Sequence, residues 1–188
     1  MKVFITGGCK NGKSSYAEEI ALSLTDLNSQ CFYLATMQPV DDEDNIRIAH
    51  HQASRRGLGF ETIEWQTHID QVVDHNKYNQ NGTFLLDSVT ALLANEMFTV
   101  VDGKYQINLD APKKVVKEIS NLIKMVNHIV IVSDFIYADE PFYDADTEIF
   151  RKGLGFIDCS CAKASDVVIE VCYGNLIVYK GEELMRGL

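Results

Sequence analysis

Gly7-Gly8-Cys9-Lys10-Asn11-Gly12-Lys13-Ser14 fits G-x-x-x-x-G-K-[ST], the pattern of a phosphate-cradling loop. Each part has a physical task. The glycines let the backbone curl so that successive N–H groups, from Gly8 through Cys9, Lys10, Asn11 and Gly12 to Ser15, can face phosphate oxygens. Lys13 brings a point charge to the outer phosphates. The Ser14 hydroxyl suits Mg2+, and the helix that follows aims its positive end at the anion. The flanks supply the setting such a loop needs. Lys2–Thr6 (KVFIT) reads as a short buried strand, and Ser14–Leu24 has helical apolar spacing at Ala17, Ile20, Ala21 and Leu24.

Outward from the loop, strand-like and helix-like segments alternate. Cys31–Ala35, Thr83–Asp87 and His128–Ser133 are apolar strands, and Phe60–Trp65 is a shorter one. Asp42–Arg56, Ile69–Asn76, Val89–Met97 and Pro112–Met125 read as helices, the last with Pro in its first turn. Asp146–Ala164 reads as a helix interrupted at Gly153 and Gly155, and Asp102–Asn108 as a polar excursion or small hairpin. Val167–Cys172 and Leu176–Tyr179 flank a turn at Tyr173-Gly174-Asn175. Strands alternating with helices imply right-handed crossovers and parallel pairing. The expected fold is α/β and P-loop NTPase-like: three layers around a mainly parallel sheet with an antiparallel C-terminal hairpin. Without repeats, low-complexity tracts or a Pro/Ser-rich linker, residues 1–188 read as one domain.

The formal charge of −10 argues against nucleic acid and anionic membranes as partners, so a polyanionic ligand must be captured by a local positive site. No apolar run reaches bilayer length, MKVFIT does not resemble a signal peptide, and the cytoplasm is the expected compartment. Five cysteines, with Cys159 and Cys161 one residue apart, match no zinc spacing and read as reduced thiols.

A phosphate loop wants an acid at the carboxyl end of a nearby strand to hold Mg2+. Asp87, closing Phe84-Leu85-Leu86, is the first candidate, and Asp134, after the 128–133 strand, the second. Between the second and third strands stand Arg47, His50, His51, Gln52, Arg55 and Arg56. Adjacent histidines on a helix point about 100° apart, so they do not make a bidentate metal pair. A neutral histidine is a competent nucleophile toward phosphorus, and nearby arginines can hold phosphates. A solvated polar helix accounts for the same residues.

In order, these pieces resemble the bifunctional adenosylcobinamide kinase / adenosylcobinamide-phosphate guanylyltransferase family of cobalamin biosynthesis. Ile5-Thr6-Gly7-Gly8 with Gly12-Lys13-Ser14 resembles its opening T-G-G-x-x-S-G-K-S, and Tyr33-Leu34-Ala35-Thr36 its second strand. Arg47-Ile48-x-x-His51-x-x-x-Arg55 is similar to its R-I-x-x-H-x-x-x-R, Glu64 to the acid that follows, and Asp87-Ser88-Val89-Thr90 with Asn95 to its D-C-L-T…N. Asn11 stands where the family usually has Ser. Of its F-R-D-x-x-G-x-x-N-Q, Phe150, Arg151 and Gly155 align, while Asp158-Cys159 replace Asn-Gln.

The resemblance implies two reactions, phosphorylation of adenosylcobinamide by GTP or ATP and transfer of GMP from GTP to the phosphorylated corrinoid through a guanylyl-histidine. By register the histidine is His51, with His50 as fallback, and Lys13 assists. Gln52, Ala53, Ser54, Arg55 and Glu64 become guanine- or phosphate-side candidates, and Ser14 and Asp87 the Mg2+ ligands. A homo-oligomer, a trimer by resemblance, is also implied. The altered C-terminal half leaves open a P-loop kinase of another small molecule, or a nucleotide-binding paralogue without chemistry.

Overall fold

The computed structural model describes residues 1–39, 42, 46, 48–49, 52–53, 55–73, 78–137 and 143–186, with Val101 by its backbone alone. Strand β1 (Lys2–Gly7) runs into the loop and helix α1 (Lys13–Ser23). Strands β2 (Cys31–Ala35) and β3 (Phe60–Glu64) follow, then a 3-10 turn at Ile69–Val73 and β4 (Thr83–Asp87). Helix α2 (Val89–Met97) leads straight into the hairpin β5 (Phe98–Val101) and β6 (Lys104–Ile107). After α3 (Ala111–Met125) come β7 (His128–Asp134), α4 (Ala145–Ala164), β8 (Val167–Cys172), β9 (Asn175–Lys180) and the single turn α5 (Glu182–Met185).

Seven strands form one sheet in the order β3-β2-β4-β7-β1-β8-β9. All neighbours pair in parallel except β8 and β9, which are antiparallel. This is the expected mainly parallel sheet with its C-terminal hairpin. The apolar runs are continuous because both faces of the central strands are covered. Alternate residues divide between two cores. Val3, Ile5, Tyr33, Leu85, Val130 and Val132 pack with Ala17, Ile20 and Ala21 of α1. Phe4, Phe32, Leu34, Phe84, Leu86 and Ile131 pack with the apolar seams of α2, α3 and α4. Each fully buried Leu or Ile in these seams contributes roughly 1.5–3 kcal/mol.

Register places the site. Glu64 pairs with Ala35 and Ala35 with Asp87. Asp87 pairs with Val132, two residues before Asp134, and Asp134 pairs with Gly7. The carboxyl ends of five strands therefore converge on the loop, where open parallel sheets bind ligands.

Three local outcomes differ from the sequence reading. Helix α4 is continuous through Gly153 and Gly155, beginning at the Asp144 cap, whose carboxylate accepts from the N–H groups of Asp146 and Thr147. Gly153 is a packing glycine, since a Cβ there would stand 2.7 Å from Pro112 Cγ of α3. The 102–108 excursion is the end of a hairpin that starts at Phe98 and turns on Asp102 and Gly103, with φ of 52° and 72°. The helix expected at 69–76 is a 3-10 turn over Ile69–Val73, and residues 74–76 lie outside the described ones. Among the described residues no helix is long and apolar enough to cross a membrane, and all five cysteines are free.

Candidate active site

The loop leaves β1 at Gly7, where no larger residue fits: a Cβ would lie 2.3 Å from Asn11 Nδ2 and 2.6 Å from Val171 O. Asn11 explains the crowding. Its side-chain amide donates to Val171 O at the end of β8, and its Oδ1 accepts from Lys13 N at 3.2 Å. The residue found where the family usually has Ser thus ties the loop to the neighbouring strand. Gly12, with φ of 90°, turns the chain into α1.

Lys13 is buried and folds back over the loop. Its Nζ lies 3.2 Å from Gly8 O and 2.6 Å from Asp134 Oδ1. The Asp134 N–H is itself held, donating to Thr90 Oγ1 at 3.0 Å. Asp87 has a different partner, accepting from the Tyr33 hydroxyl at 2.6 Å. Burial, and then the Asp87 carboxylate, push the Tyr33 phenol well above its usual range, so it stays a donor. On the same ring the Arg55 guanidinium carbon sits 3.6 Å from the centroid. Arg55 is buried, its Nη1 is 4.0 Å from Glu18 Oε1, and its Nε and Nη1 make no hydrogen bond. Burial raises the Glu18 carboxyl pKa, opposed by Arg55.

Lys13, Asp134, Asp87, Tyr33 and Arg55 face one cavity of about 800 Å³. Of the sequence candidates, Cys9, Lys10, Asn11, Gly12, Lys13, Ser14, Ser15, Gln52, Arg55, Glu64 and Asp87 line it. Gly8 contributes its carbonyl to Lys13, and Ala53 is exposed with helical backbone. Gln52 Nε2 donates to Glu64 Oε1 at 3.2 Å, joining two of the guanine-side candidates. His50, His51, Ser54 and Arg47 lie outside the described residues. Met37, Pro39, Ile48, Ala91, Ala94 and Phe150 add apolar lining.

The sequence pointed to Asn95 only through the resemblance and did not show what it holds. Asn95 Nδ2 donates to Thr36 O at 2.8 Å and to Gln66 O at 3.0 Å, clipping together the loops after β2 and β3. Its neighbour Glu96 accepts from His68 N at 2.9 Å. His68, Glu96 and Glu118 bring ligand atoms within 4.8 Å of one another. Lys114 Nζ stands 2.5 Å from Glu96 and 3.7 Å from Glu118, so the lysine ammonium is the cation of that cluster. A carbonyl-seeking amide leaves no periodic signature, so only the two loops it bridges reveal the role of Asn95.

Over residues 3–178 the chain matches the family model described as cobinamide kinase / cobinamide phosphate guanyltransferase. The Escherichia coli protein named bifunctional adenosylcobalamin biosynthesis protein CobU is 38% identical over 98 residues, 52% of this chain and 51% of that relative. Its Salmonella typhimurium namesake is 32% identical over 100 residues, 53% and 52% of the two chains. The chain spans about half the length of the curated relatives it matches. In fold it is similar to a solved ATPase domain at a TM-score of 0.54 and 10% identity, covering 95% of this chain and 76% of the other. It is also similar to an ATPase from the type III secretion system of pathogenic bacteria at a TM-score of 0.50 and 13% identity, covering 100% and 58%. The family model covers the loop, the strand-end acids Asp87 and Asp134 and the cavity residues Gln52 and Arg55 alike, and the chain belongs to the cobinamide kinase / cobinamide phosphate guanyltransferase family.

Proposed function

We propose that the chain phosphorylates adenosylcobinamide and transfers GMP from GTP to adenosylcobinamide phosphate, giving adenosylcobinamide-GDP. The observation that carries this reading is one cavity that joins a Gly-Lys-Ser loop and two strand-end carboxylates to the Gln52–Arg55 end of the histidine segment. Family membership supports the reaction pair.

In the first reaction the acceptor hydroxyl oxygen attacks the γ-phosphorus of GTP or ATP, the bond to the β-phosphate oxygen breaks, the nucleoside diphosphate leaves, and the hydroxyl proton is released to solvent. In the second, a ring nitrogen of His51 attacks the α-phosphorus of GTP and pyrophosphate leaves. An oxygen of the corrinoid phosphate then attacks that phosphorus, the P–N bond breaks, and His51 is regenerated. The chain's contribution is placement and charge. The loop N–H groups hold the phosphates, Lys13 leaves Asp134 to neutralise them, and Gln52 and Glu64 face the guanine side. Ser14 and Asp87 are hard oxygen donors on one cavity and fit Mg2+, which when bound neutralises phosphate charge. Family resemblance also supports a homo-oligomer, a trimer.

The test is incubation with GTP radiolabelled at the α-phosphate. The protein should acquire an acid-labile, base-stable label that His51→Ala abolishes. Absence of label on the wild type, or full label on both His51→Ala and His50→Ala, overturns the guanylyl-histidine.

A further inference from the structure

We infer that Tyr33 is a two-sided positioning residue: its hydroxyl orients Asp87, and its ring face seats Arg55, joining the phosphate end of the cavity to the histidine segment. The inference rests on the functional reading above for the identity of the ligand and adds a residue that the reading does not use.

The geometry is specific on both sides. Tyr33 is the one residue with a hydroxyl in the buried strand Cys31–Ala35, and it is 4% exposed. Its neighbours Phe32 and Leu34 point into the opposite core, whereas Tyr33 shares the α1 face with Leu85 and Val132. A tyrosine on that face meets apolar packing around its ring and needs one partner for its oxygen. It finds Asp87 Oδ2 on the adjacent strand, two residues beyond its own register partner Leu85 and level with Ala35. One carboxylate oxygen is thereby occupied, which leaves the other to face the cavity.

The ring has a second load. Arg55 is held by the 3.6 Å stack on Tyr33 and the loose 4.0 Å pair with Glu18, while two of its donor nitrogens make no hydrogen bond. A guanidinium this deeply buried and this sparsely bonded depends on the aromatic face more than a surface arginine would. The Arg55 carbonyl accepts from Leu58 N at 3.1 Å, and the Ala53 carbonyl from Arg56 N at 3.2 Å. Seating Arg55 therefore fixes the end of the segment that carries Gln52 and, in sequence, His51.

Two readouts that need no turnover test the two sides separately. The first is Mg2+-dependent tightening of a fluorescent GTP analogue. Tyr33→Phe keeps the ring and loses the hydroxyl, and should raise the Mg2+ concentration for half-maximal tightening about threefold to tenfold, the scale of one net hydrogen bond. The second is amide exchange at Arg56 and Leu58. It should be unchanged in Tyr33→Phe and faster by about threefold to tenfold in Tyr33→Leu and in Arg55→Met, with Val130 of the sheet core still protected. Wild-type Mg2+ dependence in Tyr33→Phe overturns the hydroxyl side. Unchanged exchange at Arg56 and Leu58 in Arg55→Met overturns the ring side, even where Tyr33→Leu does not fold. GTP that fails to bind the wild type overturns the functional reading and with it the hydroxyl side, and the exchange measurement still decides the ring side.

Discussion

Lys13 Nζ lies 2.6 Å from Asp134 Oδ1, and the pair links the start of α1 to the end of β7, where Asp134 is in register with Gly7 of β1. The loop lysine is thus neutralised by the chain itself, and incoming phosphates compete with a carboxylate for it. Asp87, the acid at the end of the next strand over, is engaged by Tyr33. The two strand-end acids have separate partners and are not interchangeable.

Removing the competitor should favour the nucleotide. Asp134→Asn is expected to bind GTP about threefold more tightly in the absence of Mg2+, because a partly exposed ion pair of this kind is worth little more than about 1 kcal/mol. Lys13→Met should weaken GTP about tenfold or more, as loss of a charge-assisted bond does. Titration calorimetry at fixed ionic strength measures both. Equal affinity in Asp134→Asn and the wild type would show that the pair does not oppose binding.

Asp158 should make stability depend on pH. Burial raises its carboxyl pKa from 3.8 to about 6, while the Tyr137 hydroxyl donates to it at 2.5 Å. A raised acid binds its proton more tightly in the folded state. The stabilisation is therefore complete below the unfolded value and is lost as pH rises through about 6. The loss is on the order of 2–3 kcal/mol. Asp158→Asn, which restores the family's residue at this place, keeps an acceptor for Tyr137 and cannot ionise. Its Tm at pH 7.5 should exceed that of the wild type by several degrees, and its profile between pH 4 and 7 should be flatter. Parallel profiles would refute the assignment.

The two glycines of α4 should respond oppositely to alanine. At Gly153 a Cβ would meet Pro112 Cγ at 2.7 Å and Met97 Cε at 3.2 Å, so Gly153→Ala should destabilise by about 1–3 kcal/mol. At Gly155 the nearest atom is Tyr137 Cε1 at 3.4 Å, an ordinary contact. Gly155→Ala should stabilise by up to about 1 kcal/mol through helix propensity. Urea denaturation of the two variants reports the contrast.

Asn95→Ala removes both donors of the clip between Thr36 O and Gln66 O and should cost about 1–3 kcal/mol. Asn95→Asp should cost more, since a carboxylate would then face two carbonyl oxygens. If the two variants unfold at the same urea midpoint, the side chain is not acting as a donor there.

The phosphate loop, the parallel sheet and its C-terminal hairpin were legible in the residues because their causes are local. Glycines at Gly7 and Gly12, apolar runs at Lys2–Thr6 and His128–Ser133, and the Tyr173-Gly174 turn act over a few neighbours, and their patterns survive without any knowledge of the rest of the chain. Gly153 was misread for the complementary reason. A glycine that breaks a helix and one that lets a neighbouring helix approach look alike in sequence, and only the position of Pro112 separates them.

The partners within the site belong to the second kind. Nothing near Asp134 in sequence announces Lys13, 121 positions earlier. Nothing near Tyr33 announces Asp87 or Arg55, nor does anything near Asn95 announce Thr36 and Gln66. Residue types supplied the donors, acceptors and charges. Strand order and register, set by burial of both faces of the sheet, brought five strand ends to one cavity and chose which of those groups meet.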